Sequence, residues 1–166
     1  MNRAYLSLGS NRGGRRANLA EALRRLAAPD VTVRRLSSLY ETEPQDLPGQ
    51  PWFLNLVAEI DTTLKPHALL ERTRAVEVEL GRQRLVPKGP RTIDIDVLLY
   101  GDLVADSPAL VLPHPRIAHR RFVLEPLAEL APDLLHPVLG KSIRELLQAV
   151  HGQQVRRVAP LAGRKG

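Results

Sequence analysis

Along residues 1–100 the apolar residues switch between a period of two and a period of three to four in a fixed order, and that order leaves few folds open. Ala4, Leu6 and Leu8 share one face of an opening strand, which Gly9-Ser10-Asn11 punctuates. A helix follows from about Arg16 to Ala28, with Leu19, Leu23, Leu26 and Ala27 as its apolar stripe and Pro29-Asp30 as its stop. Val31–Tyr40 reads as a second strand. Residues 41–51 hold three prolines and a glycine among polar residues, a long semi-rigid loop of the kind that often serves function. A third strand runs from Phe53 to about Thr62, with Leu54, Leu56, Ala58 and Ile60 on one face and Phe53, Asn55 and Val57 on the other. Pro66 opens a second helix to Leu80, with Leu69, Leu70, Thr73, Val76 and Leu80 inward and Gly81 as its cap.

A basic loop, 82–91, leads into a fourth strand, Thr92–Tyr100, and Gly101-Asp102 turns into a short partner near Leu103–Val104. Helical segments follow near Arg120–Leu130 and Ser142–Val150, and the last residues, without periodicity, read as a frayed tail. The order β-α-β-β-α-β predicts an α+β, ferredoxin-like fold: an antiparallel sheet with helices packed on one face and extra C-terminal helices. One domain, 1–150, carries this pattern, and 151–166 form a basic C-terminal tail.

Composition narrows the function classes. At 43% hydrophobic the chain can bury a core, so disorder is excluded as its main state. No apolar run approaches about 18 residues, which excludes a membrane span. Cysteine is absent, which removes disulfides, thiolate zinc sites and a cysteine nucleophile. Met1-Asn2-Arg3-Ala4-Tyr5 enters a strand without a secretory h-region, so a cytoplasmic protein is expected. The net charge is +6, but Arg156, Arg157, Arg164 and Lys165 stand in the acid-free tail, leaving residues 1–150 with only +2. That argues against a whole-molecule polyanion footprint and so against nucleic acid. Two internal windows are basic and acid-free: Arg82, Arg84, Lys88 and Arg91, and then His114, Arg116, His119, Arg120 and Arg121. Either suits an anionic ligand of limited size, or is a set of solvated loop side chains.

The sharpest chemical signal is Asp94-Ile95-Asp96 within the fourth strand. Period-two geometry puts Ile93, Ile95 and Val97 on one face and both carboxylates on the other, their Cα atoms roughly 6.6–6.8 Å apart. Such carboxylates repel unless they share a proton or a cation, and oxygen donors without sulfur favour magnesium. The alternative is an ordinary polar sheet face. Arginines close in sequence suit a magnesium–polyphosphate complex. Gly9-Ser10-Asn11-Arg12-Gly13-Gly14 has neither Walker nor dinucleotide spacing and reads as a tight turn. Phe53 beside Asn55 could stack a flat heterocycle and read its edge, with Phe122 as an opposite wall; alternatively both Phe residues are core. His114, between two prolines, is either incidental or a phosphate contact.

Gly89-Pro90-Arg91-Thr92-Ile93-Asp94-Ile95-Asp96-Val97-Leu98-Leu99-Tyr100-Gly101 closely resembles the signature of the 6-hydroxymethyl-7,8-dihydropterin pyrophosphokinase family of the folate pathway. The resemblance extends through Leu8-Gly9-Ser10-Asn11, Ser38-Leu39-Tyr40-Glu41-Thr42, Phe53-Leu54-Asn55, Glu77 with Arg82 and Arg84, Pro113-His114-Pro115-Arg116 and Arg121-Phe122-Val123-Leu124. It implies transfer of the β,γ-pyrophosphoryl group of the co-substrate ATP to the pterin hydroxymethyl group, with release of AMP. It further implies that Asp94 and Asp96 hold two Mg2+ ions and that Arg82 and Arg91 engage the phosphates. By the same resemblance Glu77, Arg84, Val97, His114 and Arg120 join the ATP site. Phe53 and Phe122 would sandwich the pterin, with Asp94 near its hydroxyl and Thr42 and Asn55 reading its edge. The loops 9–14, 43–51 and 82–91 would close over the ligands of a monomer. Two positions depart from the family pattern: Lys88 stands where Trp is common, and Phe53 replaces a frequent Tyr. Two other classes compete: an RNA-binding module using sheet aromatics, which the paired aspartates disfavour, and a regulatory nucleotide-binding module without turnover.

Overall fold

The computed structural model describes residues 1–44, 49–81 and 92–161. The chain is a mixed α/β structure whose elements follow the sequence pattern closely. Strand β1 (Asn2–Ser10) leads to helix α1 (Arg15–Leu26), strands β2 (Val31–Leu36), β3 (Ser38–Thr42) and β4 (Phe53–Thr62), and helix α2 (Pro66–Glu79). Strand β5 (Asp94–Tyr100) is followed by a two-stranded ribbon, β6 (Ala105–Asp106) with β7 (Val111–Leu112). A 3-10 turn (Ile117–His119), helices α3 (Arg121–Leu130) and α4 (Ile143–Gln148), and strand β8 (Val155–Pro160) complete the chain. The main sheet runs β5-β1-β4-β3-β8 with β2 also on β4, and every pairing is antiparallel.

Both faces of the sheet are apolar, and this decides the layering. Ala4, Leu6, Leu8, Leu54, Leu56, Ala58, Ile60, Ile95 and Val97 meet Leu19, Ala22, Leu23 and Leu26 of α1 and Leu69 and Val76 of α2. On the opposite face Tyr5, Val57 and Leu99 meet Ile117, Val123, Leu124 and Leu127 around α3, and Ile143 and Leu146 of α4. The two core helices share one face as expected, and the extra C-terminal helices cover the other, because Val57 and its neighbours could not stay in water at about 25 cal/mol per Å² of apolar surface.

Four local expectations change. The run 31–40 is two strands, because the Ser37 side chain accepts from Val57 N at 2.9 Å where a ladder carbonyl would stand. Ala27, expected in the α1 stripe, is exposed, since the helix ends at Leu26. Residues 103–104 form no strand; the short partner lies at 105–106 and pairs with β7. The frayed tail gives way to β8, which pairs with β3 from Thr42↔Val155 to Ser38↔Pro160. The register of β5 on β1 skips Leu98, a bulge that puts Leu98 and Leu99 together on the α3 side.

Glu59 is almost completely buried and accepts from Tyr5 Oη at 2.7 Å and from Arg35 at 2.8 and 3.0 Å. The Arg35 guanidinium, with help from Tyr5 and Arg3, holds its carboxyl down at about 2, against an ordinary 4.5, despite burial. A depressed carboxyl stabilises the fold above its unfolded value and loses that contribution as pH falls from about 4.5 toward 2. Glu59→Gln should therefore lower stability at pH 7 by about 1–3 kcal/mol and flatten the acid limb of unfolding between those values. Urea melts at pH 7 and pH 3 check this; an unchanged acid limb would remove Glu59 from the account.

Candidate active site

The floor of the site is a depression in the sheet made by two small residues on β1. Gly9 pairs with Asn55 of β4 on one side and Asp94 of β5 on the other, and Ser7 pairs with Val57 and Asp96. Period-two alternation therefore brings Asp94, Asp96, Asn55 and Phe53 up around Gly9 and Ser7 on one face. A Cβ at Gly9 would stand well inside contact with Asn55 Oδ1 and 3.4 Å from the Phe53 ring. Thus Gly9 is required for close approach across the strands. The reading of Gly9-Ser10 as turn residues is corrected: both lie within β1.

The walls come from three further elements. Thr42, at the end of β3, is buried and accepts from Asn55 Nδ2 at 2.6 Å. That bond fixes the amide, lays its carbonyl over Gly9 and leaves the threonine hydroxyl its own proton to donate. Arg120 and Phe122 enter from the start of α3, the guanidinium carbon 5.4 Å from the Phe122 ring centroid. Ser7, Gly9, Thr42, Glu43, Phe53, Asn55, Asp94, Asp96, Arg120 and Phe122 together line a pocket of about 530 Å³, part of it open to solvent.

His114 stands at the rim. Its main-chain N–H donates to the bulge carbonyl of Leu98 at 2.9 Å, and its Nδ1 accepts from Arg116 N at 3.1 Å. Burial first, then Arg120 and Arg116, push the imidazole down to about 4 against the opposing pull of Asp94, so the ring is neutral at pH 7. With Nδ1 accepting, the ring proton lies on Nε2, which is 4.0 Å from Asp96 Oδ2. The group facing the carboxylates is thus an uncharged donor.

Of the residues singled out in the sequence, Thr42, Phe53, Asn55, Asp94, Asp96, Arg120 and Phe122 are brought together in this pocket. Glu77 and Val97 do not line it. Glu77 is buried on α2 and its Oε2 accepts from Ile95 N at 2.8 Å, bracing β5 between the two aspartates. The Val97 side chain belongs to the core beneath the sheet. Arg121 turns away to Glu125, 2.9 Å distant. Arg82, Arg84, Lys88 and Arg91 lie outside the described residues. Sequence reasoning did not single out Ser7 and named Gly9 and Glu43 only within the loops 9–14 and 43–51; the small pair at i and i+2 on the opening strand was the available signal for the first two.

Two phenylalanine rings, an amide and a pair of carboxylates thus line one pocket over a single sheet floor on an α+β scaffold, a lining suited to a flat small molecule with an anionic group. Residues 5–132 match the family model described as 7,8-dihydro-6-hydroxymethylpterin-pyrophosphokinase, and the chain belongs to that family. The 2-amino-4-hydroxy-6-hydroxymethyldihydropteridine pyrophosphokinase of Methylorubrum extorquens is 47% identical over 159 residues, covering 95% of this chain and 99% of that protein. The enzyme of that name from Bacillus subtilis is 48% identical over 134 residues, 80% of each chain. The folic acid synthesis protein fol1 of Pneumocystis carinii is 39% identical over 156 residues; these cover 94% of this chain but about a fifth (21%) of fol1. Among solved structures, HPPK-DHPS in complex with substrates aligns with a TM-score of 0.70 at 14% identity, over 89% of this chain and 43% of that one. Plasmodium falciparum HPPK-DHPS with pteroate aligns at 0.71 and 18% identity, over 89% and 42%. At these identities the structural matches speak to the fold.

Proposed function

We propose that this chain transfers the β,γ-diphosphoryl group of ATP to the hydroxyl of 6-hydroxymethyl-7,8-dihydropterin, as a cytoplasmic monomer in folate biosynthesis. The observation that carries the reading is the single floor row in which Gly9 separates Asn55 from Asp94, because it sets a heterocycle-reading amide beside a carboxylate. The pterin hydroxyl oxygen forms a bond to the β-phosphorus, the bond from that phosphorus to the α,β-bridging oxygen breaks, AMP leaves, and the hydroxyl proton passes to solvent. Residues 1–150 form the pyrophosphokinase unit, a ferredoxin-like β-α-β-β-α-β core to which β8 adds an edge.

Phe53 and Phe122 stack the ring, Asn55 and Thr42 pair with its edge, and Asp94 lies where the hydroxymethyl arm would point. The oxygen-only donor pair of Asp94 and Asp96 fits hard cations, so these two residues would hold two Mg2+ ions, with phosphate oxygens and water completing each shell. When bound, such ions neutralise phosphate charge. Arg120 and the neutral His114 donate to the phosphates from the rim, and Arg82, Arg84 and Arg91 are assigned there from sequence. Glu77 serves the nucleotide end by holding β5, and Val97 serves it through that strand. Mass spectrometry of the chain with ATP, the pterin and magnesium tests the reading: pterin diphosphate and AMP in equal amounts are expected, and ADP, or no AMP, would overturn it.

Gly9→Ala follows from the floor geometry. The added methyl displaces the Asn55 amide, and overpacking of this kind costs about 1–3 kcal/mol. Pterin KM should rise roughly 5–150-fold while ATP KM stays within about twofold. Steady-state kinetics with each substrate varied in turn decide it; an unchanged pterin KM would show that the amide need not sit over Gly9.

A further inference from the structure

We propose that Gln153, at the entry to β8, is a positioning residue that sets the Phe122 wall of the pocket. This deepens the pterin reading and rests on it for the identity of the ligand. Helix α3 begins at Arg121, and its N-cap residue, Arg120, has no side-chain acceptor to give the orphan N–H groups of the first turn. Gln153, more than 30 residues away, supplies one: its Oε1 accepts from Arg121 N at 2.7 Å. The other end of the same amide, Nε2, donates to the carbonyl of His119 at 2.7 Å. One side chain therefore clamps both sides of the corner that carries Arg120 and, one residue into the helix, Phe122.

The clamp is itself anchored to the opposite wall. Gln154 N donates to Glu43 Oε1 at 3.2 Å, and Glu43 lines the pocket. Val155 then pairs with Thr42 and Arg156 with Glu41, whose carboxylate also receives the Arg156 guanidinium. Arg157 Nε donates to Ser38 Oγ at 3.1 Å. Residues 153–157 thus tie β3, with Thr42 and Glu43, to the start of α3, with Arg120 and Phe122, although none of them lines the pocket. The place of the Phe122 wall relative to Thr42 and Glu43 is set from outside the site, and Thr42 pairs in turn with Phe53.

Gln153→Ala and Gln153→Glu separate positioning from simple stability. The glutamate keeps an acceptor for Arg121 N and adds negative charge at a helix N-terminus, so its melting temperature should hold. It cannot donate to His119 and sets a carboxylate against that carbonyl, so the corner should still shift. Pterin KM is expected to rise about 5–20-fold in both variants, with a smaller rise in ATP KM, no more than about threefold, through Arg120 on the same corner. The chain has only two phenylalanines, 53 and 122, so fluorophenylalanine labelling gives one 19F signal per wall, assigned with a Phe53→Leu protein. The Phe122 signal should move or broaden in both variants and the Phe53 signal should stay. Unchanged 19F signals, a wild-type pterin KM in either variant, or equal losses for ATP and pterin would overturn the assignment. The 19F arm needs no ligand, so a wild-type protein that forms no AMP would sink the pterin reading while the positioning result stands on its own.

Discussion

Asp96→Ala and Asp94→Ala proteins should each lose at least about 10³-fold in turnover, the scale of removing a principal electrostatic stabiliser, while keeping their fold. The two effects separate because β5 divides its labour by face. Ile93, Ile95 and Val97 are buried in the core with α1 and α2, and Glu77 holds Ile95 N, so the strand stays without its carboxylates. The Asp96 side chain is 38% exposed, and truncating it opens no cavity. Relief of repulsion between the two carboxylates should leave the melting temperature unchanged or slightly higher. Asp→Asn variants keep the shape and remove the charge, and they should lose turnover to a similar degree. The measurement is kcat alongside a thermal melt; an Asp96→Ala protein with near-normal turnover would remove the carboxylate pair from the mechanism.

The second large effect belongs to the walls. Phe53→Ala and Phe122→Ala should each weaken pterin binding roughly 5–150-fold, since stacking on a flat base contributes about 1–3 kcal/mol by truncation. Phe122 also carries the Arg120 guanidinium, 5.4 Å from its centroid, so if Arg120 serves the phosphates as proposed, its loss should raise ATP KM a few-fold as well. Phe53→Ala should weaken pterin binding much more than ATP binding. Asn55→Ala should harm pterin binding as much as either, because the buried Thr42 hydroxyl and the ligand edge both lose their partner. Calorimetric titration of each variant with pterin and with a non-hydrolysable ATP analogue reads the split. Equal losses of both ligands in all three would point to a folding defect and overturn the wall assignment.

Much of this site was legible before any coordinates. Strand β4 spans Phe53–Thr62 as its alternation required, and its two faces divide as read, with Leu54, Leu56, Ala58 and Ile60 in one core and Phe53 and Asn55 at the pocket. The aspartates of β5 project opposite Ile95 and Val97 for the same reason: on a half-buried strand, period two forces polar and apolar residues apart. Helices α1 and α2 followed from their apolar stripes and from Pro66.

What the sequence could not carry is information held between strands. The pattern of β8, Val155–Pro160, is not apolar on alternate residues, because an edge strand with exposed side chains is held by main-chain pairing and by ion pairs such as Arg156 with Glu41. The break at Ser37 depends on Val57, and the bulge at Leu98 on the register with β1, so neither is a property of its own segment. Gly9 is the clearest case. Alone it looks like turn punctuation; only the alignment of β1 between β4 and β5 reveals a floor over which Asn55 and Asp94 meet. The sequence by itself determined that Phe53, Asn55, Asp94 and Asp96 stand on the polar face of their strands, opposite the core, because that follows from local periodicity and side-chain type. Tertiary structure alone decided which faces meet, how far apart the walls stand, and that a glutamine at the far end of the chain holds one of them, because register and crossover are set by long-range packing that no local pattern encodes.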